Sequence, residues 1–296
     1  MDTVARLLDF IDNSTSPYHT VKTGANELKA KGFTELFLED VWALGEGDYF
    51  VKVYDSALVA FHIGLNLRHS MRIASAHTDF PAIRIKPNPL VDAKGYGELN
   101  VETYGGLILN TWLDRPLSMA GAVVTRTDDP FRPDVHYVDV ARPLLTIPNL
   151  AIHMNRQVND GYKYNAQKDT LPIFGSLEAK GSFMTLMAEA AGVKAEDILG
   201  HDLFLYSRDK GTIWGADEAY LSCGRLDDLQ CAFSSIKGLL AGGHPSCVSV
   251  AAVFDNEEVG SGTKQGADST FLEDTLRRVN RSLGRTEEEY LMALAS

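Results

Sequence analysis

Two adjacent carboxylates, Glu257 and Glu258, come two residues after the apolar run Val248-Ser249-Val250-Ala251-Ala252-Val253-Phe254, behind Asp255 and Asn256, and lead into a turn through Val259, Gly260 and Ser261. Carboxylates brought close to a core are costly unless something positive meets them. One of the pair can ligate a cation while its neighbour stays just outside coordination range and takes a proton from water. Gly260 and Gly262 are expected to allow the tight turn that lets both side chains converge on one cleft. A solvated acidic loop is the plainer alternative, but a loop issuing from a buried-type strand favours a site.

Two other segments carry ligand-type residues. His77-Thr78-Asp79 ends the run Met71-Arg72-Ile73-Ala74-Ser75-Ala76. A neutral imidazole suits zinc or a similar transition metal, and an aspartate two residues on can accept the other ring N–H and hold the tautomer. Leu226-Asp227-Asp228 opens a helix after Ser222-Cys223-Gly224-Arg225. An acidic residue there is ordinarily a cap, yet a carboxylate can also bridge two cations roughly 3.5–4 Å apart. Spacing leaves Asp227 and Asp228 as equal candidates. Cys223 lies near enough to be conceived as a thiolate ligand, although nothing nearby completes such a site.

His19, His62, His69, His136, His201 and His244 lack an acidic partner set in the sequence and read as structural or exposed, and Trp112 and Trp214 read as core or interface residues. No nucleophile elbow, phosphate-binding loop or dinucleotide fingerprint is present. Metal-activated water is therefore the chemistry these residues point to.

The elements that must position them follow from periodicity. Met1 to Asp12 is predicted as an amphipathic helix, and Thr20 to Lys31 as a second helix stopped by Gly32. Tyr49–Tyr54 and Ala57–Ile63 form a hairpin around Asp55-Ser56. Between about Asn88 and Glu218 the texture changes to short β runs, among them Gly105–Leu109, Ala122–Thr125 and Val135–Val138. A polar loop from about Asn155 to Lys168 and a helix at Ser182–Ala191 follow. Helices are then predicted at Asp227–Leu240, at Ser269–Leu283 with Ser269 as cap, and from Thr286, where Glu289 completes a capping box. The fold class expected is α/β. A catalytic α/β domain in two halves, 1–87 and 219–296, is interrupted by a β-rich insertion, 88–218.

With 296 residues, 45% hydrophobic and 23% charged, the composition is that of a globular protein, and its net charge of −12 argues against nucleic-acid and anionic-membrane partners. Three cysteines without C-x-x-C spacing argue against a disulfide framework. A cytoplasmic location without a membrane span is the expectation.

Taken in order, these stretches resemble the M18 metallopeptidases, the aspartyl aminopeptidase family. The resemblance rests on Ser16-Pro17-Tyr18-His19, His77-Thr78-Asp79-Phe80-Pro81 and Thr111-Trp112-Leu113-Asp114-Arg115. It continues through Ile147-Pro148-Asn149-Leu150-Ala151-Ile152-His153, Gly224-Arg225-Leu226-Asp227 and Asp255-Asn256-Glu257-Glu258-Val259-Gly260-Ser261. It implies an α/β/α sandwich metallopeptidase domain carrying an inserted β-rich oligomerisation domain. The implied activity is removal of an N-terminal residue, Asp or Glu among the candidates, from peptides.

By match of motif, two divalent ions are implied, zinc first, with cobalt or manganese as alternatives. His77 would bind one, Asp227 would bridge both, and Glu258 would bind the other. Glu257 would be the general base and Asp79 would orient His77. His153 would reach the active site of a neighbouring subunit in a homo-oligomer, a dodecamer by family resemblance. Phe80 and Asp228 stand where the family often has serine and asparagine. Family members carry further metal ligands beyond the position of Ser296, so a partial chain, or an assembly subunit without a complete centre, is the rival expectation. A deacylase or carboxypeptidase with a two-metal site is the second rival.

Overall fold

The computed structural model describes residues 2–65, 70–93 and 95–295; His69 lies outside them. The chain divides into two compact units, Met1–Phe80 with Arg225–Ser296, and Pro81–Gly224.

The first unit begins with α1 (Thr3–Asn13) and α2 (Pro17–Ala30), followed by β1 (Thr34–Leu36), β2 (Gly47–Val53), β3 (Ala57–Ile63) and β4 (Met71–His77). Ser16 caps α2 by accepting the His19 N–H, and Pro17 takes a first-turn position whose N–H would have no helical partner. Gly32, at φ 88°, adopts the left-handed conformation that ends this helix.

The second unit contains β5 (Ala82–Ala93), β6 (Tyr96–Tyr104), β7 (Leu117–Thr125), β8 (Asp134–Asp139), β9 (Ile173–Ser176), α3 (Phe183–Ala191), β10 (Ile198–Ser207), β11 (Thr212–Trp214) and β12 (Tyr220–Ser222). The first unit then resumes with α4 (Leu226–Leu240), β13 (Val248–Phe254), α5 (Phe271–Ser282) and α6 (Glu287–Ala295).

The first unit is a three-layer arrangement. Its sheet runs β1-β2-β3-β13-β4. Strands β13 and β4 are parallel and in register from Val248↔Met71 to Phe254↔His77, while β3 pairs antiparallel with both β2 and β13. Alternation sends Val51, Val59, Phe61, Val250 and Ala252 to a core shared with Phe271, Leu276 and Val279 of α5 and Tyr290 of α6. The intervening residues Phe50, Leu58, Ala60 and Ala251 are equally buried. On their side α2 and α4 contact β3, α4 also contacts β13 and β4, and Phe10 of α1 meets Phe233 of α4 edge-on. Burial on both faces explains why β3 and β13 read as nearly continuous apolar runs.

The second unit is built on an antiparallel six-stranded sheet, β8-β7-β10-β5-β6-β9, with a separate β11-β12 pair. Its core joins Leu99, Val101, Leu117, Met119, Leu203 and Leu205 to Phe183 and Met187 of α3.

Several sequence expectations need correction. The unit boundaries lie at 80/81 and 224/225 instead of 87/88 and 218/219. Residues 82–87 are the first half of β5, which is hydrogen-bonded to β6 and β10, and Tyr220–Ser222 pairs with β11. Gly105–Leu109 is not a strand: β6 ends at Tyr104, Gly105 turns at φ 76°, and Leu109–Trp112 forms a 3-10 turn. Helix α5 starts at Phe271, and Ser269 bonds the Gly266 carbonyl and accepts the Phe271 N–H one residue outside the cap position. The capping box at α6 is present, with Thr286 N–H donating to Glu289 and Glu289 N–H to the Thr286 hydroxyl. His62 does have an acidic partner: register places Asp48 opposite it, 2.8 Å from Nδ1. Trp214 is half exposed and stacks on Tyr220.

Candidate metal centre

Parallel pairing of β4 and β13 ends both strands at the same level, His77 opposite Phe254. The two loops that follow are therefore neighbours, at the strand C-terminal ends where open α/β sheets place their sites. Thr78, fully buried, locks the junction: its N–H donates to the Phe254 carbonyl at 2.7 Å and its hydroxyl to the Ser56 carbonyl at 2.7 Å.

Asp79 organises what comes next. It is fully buried, and its carboxylate accepts the Glu257 N–H at 3.2 Å and the Glu258 N–H at 3.1 Å. The same carboxylate lies 3.2 Å from His77 Nδ1, and the Asp79 main-chain oxygen lies 3.0 Å from that nitrogen. Two acceptors at Nδ1 hold a proton there, so that the neutral ring, once Nε2 is deprotonated, presents its Nε2 lone pair to a ligand. The sequence suggested Asp79 as an orienter of His77; its grip on the backbone of both glutamates was not legible there.

The glutamate loop is shaped by residues in the left-handed region. Asn256 (φ 61°), Gly260 (φ 98°) and Ser261 (φ 60°) adopt it. Gly260 does what the sequence expected, whereas the third left-handed position falls on Ser261 and not on Gly262. Asn256 is held by its carbonyl, which accepts the Ser261 N–H at 2.8 Å, and by its side-chain oxygen, which accepts the Thr263 hydroxyl. Asparagine tolerates this conformation better than most residues, and that was the signal available in the sequence.

The third segment enters α4. Arg225 (φ 62°) donates to the Ile11 carbonyl, and Asp227 and Asp228 keep non-helical backbone angles before the regular helix begins. Arg225, at the cap position, makes no side-chain capping bond. Asp228 Oδ2 accepts the His77 N–H at 2.9 Å, and its side chain is 14% exposed. The Asp227 side chain is 87% exposed and has its Oδ1 3.7 Å from His77 Nε2. Nε2 also lies 3.7 Å from Asp228 and 3.8 Å from Glu257.

Two potential ligand sets result, His77 with Asp227 and Asp228, and His77 with Glu257 and Glu258, each with its donor atoms within 4.8 Å of one another. Donors around a tetrahedral zinc ion at about 2.0–2.1 Å stand about 3.4 Å apart, so these residues fit such an ion with a small contraction. The donor chemistry, imidazole and carboxylate, also suits it. One imidazole nitrogen serves one ion, so a second ion here would rest on carboxylates. Cys223 belongs to neither set. His153 belongs to neither set and sits exposed in a turn of the second unit.

The electrostatics agree. Burial by itself would lower the His77 pKa, but the hydrogen bond and charge of Asp79, with Asp228 and Glu257, push it up to about 9. Burial first, then the negative charge of Asp79, Glu257 and Asp227, pushes the Glu258 carboxyl up against the opposing pull of His77. The cluster therefore holds negative charge at a density that a cation relieves.

Residues 10–296 match the family described as Aminopeptidase I zinc metalloprotease (M18). A probable M18 family aminopeptidase 2 of Clostridium acetobutylicum is 46% identical over 297 residues, covering 98% of this chain and 69% of the relative. Among solved structures, one from the Ape4 and Nbr1 complex superposes with a TM-score of 0.92 at 31% identity, covering 98% of this chain and 61% of that one. The Saccharomyces cerevisiae mApe1 dodecamer gives 0.81 at 27% identity, covering 97% of this chain and 67% of that one. The chain belongs to the M18 family of metallo-aminopeptidases, which are peptidase hydrolases, and shares their mixed α/β fold. It spans about two-thirds of the length of these relatives. No helix among the described residues is long and apolar enough to cross a membrane.

Proposed function

We propose that this chain carries the metal centre of an aminopeptidase that hydrolyses the N-terminal residue of peptides, with Asp and Glu as the first candidates for that residue. The observation that carries the proposal is one buried carboxylate, Asp79, fixing His77 and the backbone of Glu257 and Glu258 together. His77, Asp227 and Glu258 would hold two divalent ions, zinc by the family's description. Asp227 is the proposed bridge because its carboxylate is exposed, while Asp228 is engaged by the His77 N–H.

When bound, such ions supply Lewis acidity toward the scissile carbonyl and lower the pKa of water. Glu257, exposed beside His77, takes the proton from the attacking water as oxygen bonds to the carbonyl carbon, then passes it to the amine as the C–N bond breaks. Asp79 keeps the His77 proton on Nδ1 throughout. His153, exposed on the second unit, is proposed to serve a neighbouring subunit of a homo-oligomer, by analogy with the dodecameric neighbour. None of the three cysteines is in a disulfide, which is compatible with the proposed cytoplasmic location.

The sharing of His77 by both ligand sets favours one rival: a family subunit whose own residues hold fewer than two ions. Zinc content of the 296-residue chain after dialysis, measured with hydrolysis of Asp-, Glu- and Leu-anilides, separates the two. Two tight ions and anilide turnover are expected. One ion or none, without turnover, makes the chain a non-catalytic subunit, and a preference for N-acylated substrates makes it a deacylase.

A further inference from the structure

A cavity of about 890 Å³ lies in the first unit, and none of the five candidate metal ligands lines it. Its walls come from α5 along its length, from the residues before Phe271 to Arg281 in the last turn, with the 262–264 loop, the turn of the β2–β3 hairpin and Leu38. In a chain of net charge −12, this wall has the opposite balance: Lys264, Arg277, Arg278 and Arg281 against Asp268 and Asp274.

The cations differ in what they already do. Arg277 is paired with Glu273 and Glu287, and Arg278 donates to the carbonyls of Leu38 and Asp40. Lys264, by contrast, sits 5.8 Å over the Tyr54 ring, and neither it nor Arg281 has a carboxylate partner among the described residues. Asp274 accepts the Thr270 hydroxyl, which draws that carboxylate onto the first turn of its own helix.

A second observation points the same way. Thr275 lines this cavity at 1% exposure, and its hydroxyl has no hydrogen-bond partner among the described residues. A buried hydroxyl without a partner costs about 1–3 kcal/mol, which a bound polar group would recover. Phe271, Val53 and Leu38 provide apolar wall beside these groups. Unpaired cations, a helix start and an orphaned hydroxyl favour an oxyanion; the apolar wall favours a hydrocarbon body attached to it.

We propose that this cavity is a second binding site, separate from the metal centre, for a small organic anion: a carboxylate or phosphate headgroup held by Lys264, Arg281 and the Thr275 hydroxyl, with an apolar body against Phe271. The site needs no metal, so it stands or falls independently of the aminopeptidase proposal.

The test is calorimetric titration of the intact chain, in chelator, with 3-phenylpropionate and with phenyl phosphate. Saturable binding at one site per chain is expected, and the tighter probe identifies the headgroup. Lys264→Gln and Arg281→Gln should each weaken it roughly tenfold, the usual effect of losing one charge-assisted contact. Thr275→Val, which keeps the shape of a buried residue, should weaken it by a smaller factor without lowering the melting temperature. Equal binding of the neutral 3-phenylpropanamide, or unchanged affinity in both charge variants at unchanged melting temperature, overturns the proposal. So does the absence of saturation by either probe.

Discussion

Replacing Asp79 by asparagine tests the organisation of the proposed metal centre without adding or removing a heavy atom. The carboxylate accepts two backbone N–H groups, from Glu257 and Glu258, and faces His77 Nδ1, all without solvent contact. A hydrogen bond to a charged acceptor contributes about 1.5–3 kcal/mol, and a buried donor left unpaired costs about 1–3 kcal/mol. Asparagine keeps one acceptor oxygen and turns an NH2 toward the other backbone N–H. One bond is lost and one donor is stranded, a destabilisation of about 3 kcal/mol. On a unit of roughly 150 residues each kcal/mol is about 2–4 °C, so the metal-free chain should melt about 6–12 °C lower. Zinc affinity should fall about tenfold, toward the lower end for loss of a ligand's hydrogen-bond partner. The fall is modest because the Asp79 main-chain oxygen, 3.0 Å from Nδ1, still supports the tautomer. Thermal unfolding in chelator and zinc titration with a chromophoric competitor read both effects. A melting point within 2 °C or so of wild type would refute the assigned role of the buried carboxylate.

Further outcomes follow from the same geometry. The His77 pKa is raised to about 9, so in the metal-free chain its imidazolium contributes stability that is fully present below about 6.5 and lost as pH rises through about 9. Melting scans in chelator should show that loss in wild type and not in His77→Gln. Because the metal-free ring is protonated at pH 7.5, zinc loading should release close to one proton per chain from it, measurable by calorimetry in buffers of different ionisation enthalpy. Glu257→Gln should leave zinc content nearly unchanged and abolish anilide turnover in an active assembly, whereas Glu258→Gln should lower zinc content; the reverse pattern exchanges their roles. His153→Phe should lower turnover in an assembled enzyme without altering zinc content, and unchanged rates would return that exposed residue to a structural role.

Much of the first unit was legible because its signals are local. The run Val248–Phe254 is apolar throughout, as a strand covered on both faces must be, and β13 occupies those residues. The Thr286/Glu289 pair specifies its own helix start within one turn. Where two local signals compete, the sequence was less decisive. Gly105–Leu109 carries apolar residues, but its paired glycines end the strand. The boundary at Asn88 followed a change in composition, whereas β5 crosses it because its hydrogen bonds run to β6 and β10.

The residue types of the candidate site were likewise legible in the sequence alone: a histidine, aspartates and a glutamate pair, each following or opening a regular element. What only the tertiary structure decided is how they meet. His77 and Glu257 are far apart in the chain, and the parallel register of β4 with β13 makes their loops adjacent. Asp79 then gathers His77, Glu257 and Glu258 through side-chain and backbone bonds. Asp227 and Asp228, equal in the sequence, become unequal once the His77 N–H engages Asp228 and leaves Asp227 exposed. Periodicity reports which face of a strand is buried, but long-range hydrogen bonds set which strand ends are neighbours, and no local pattern encodes those.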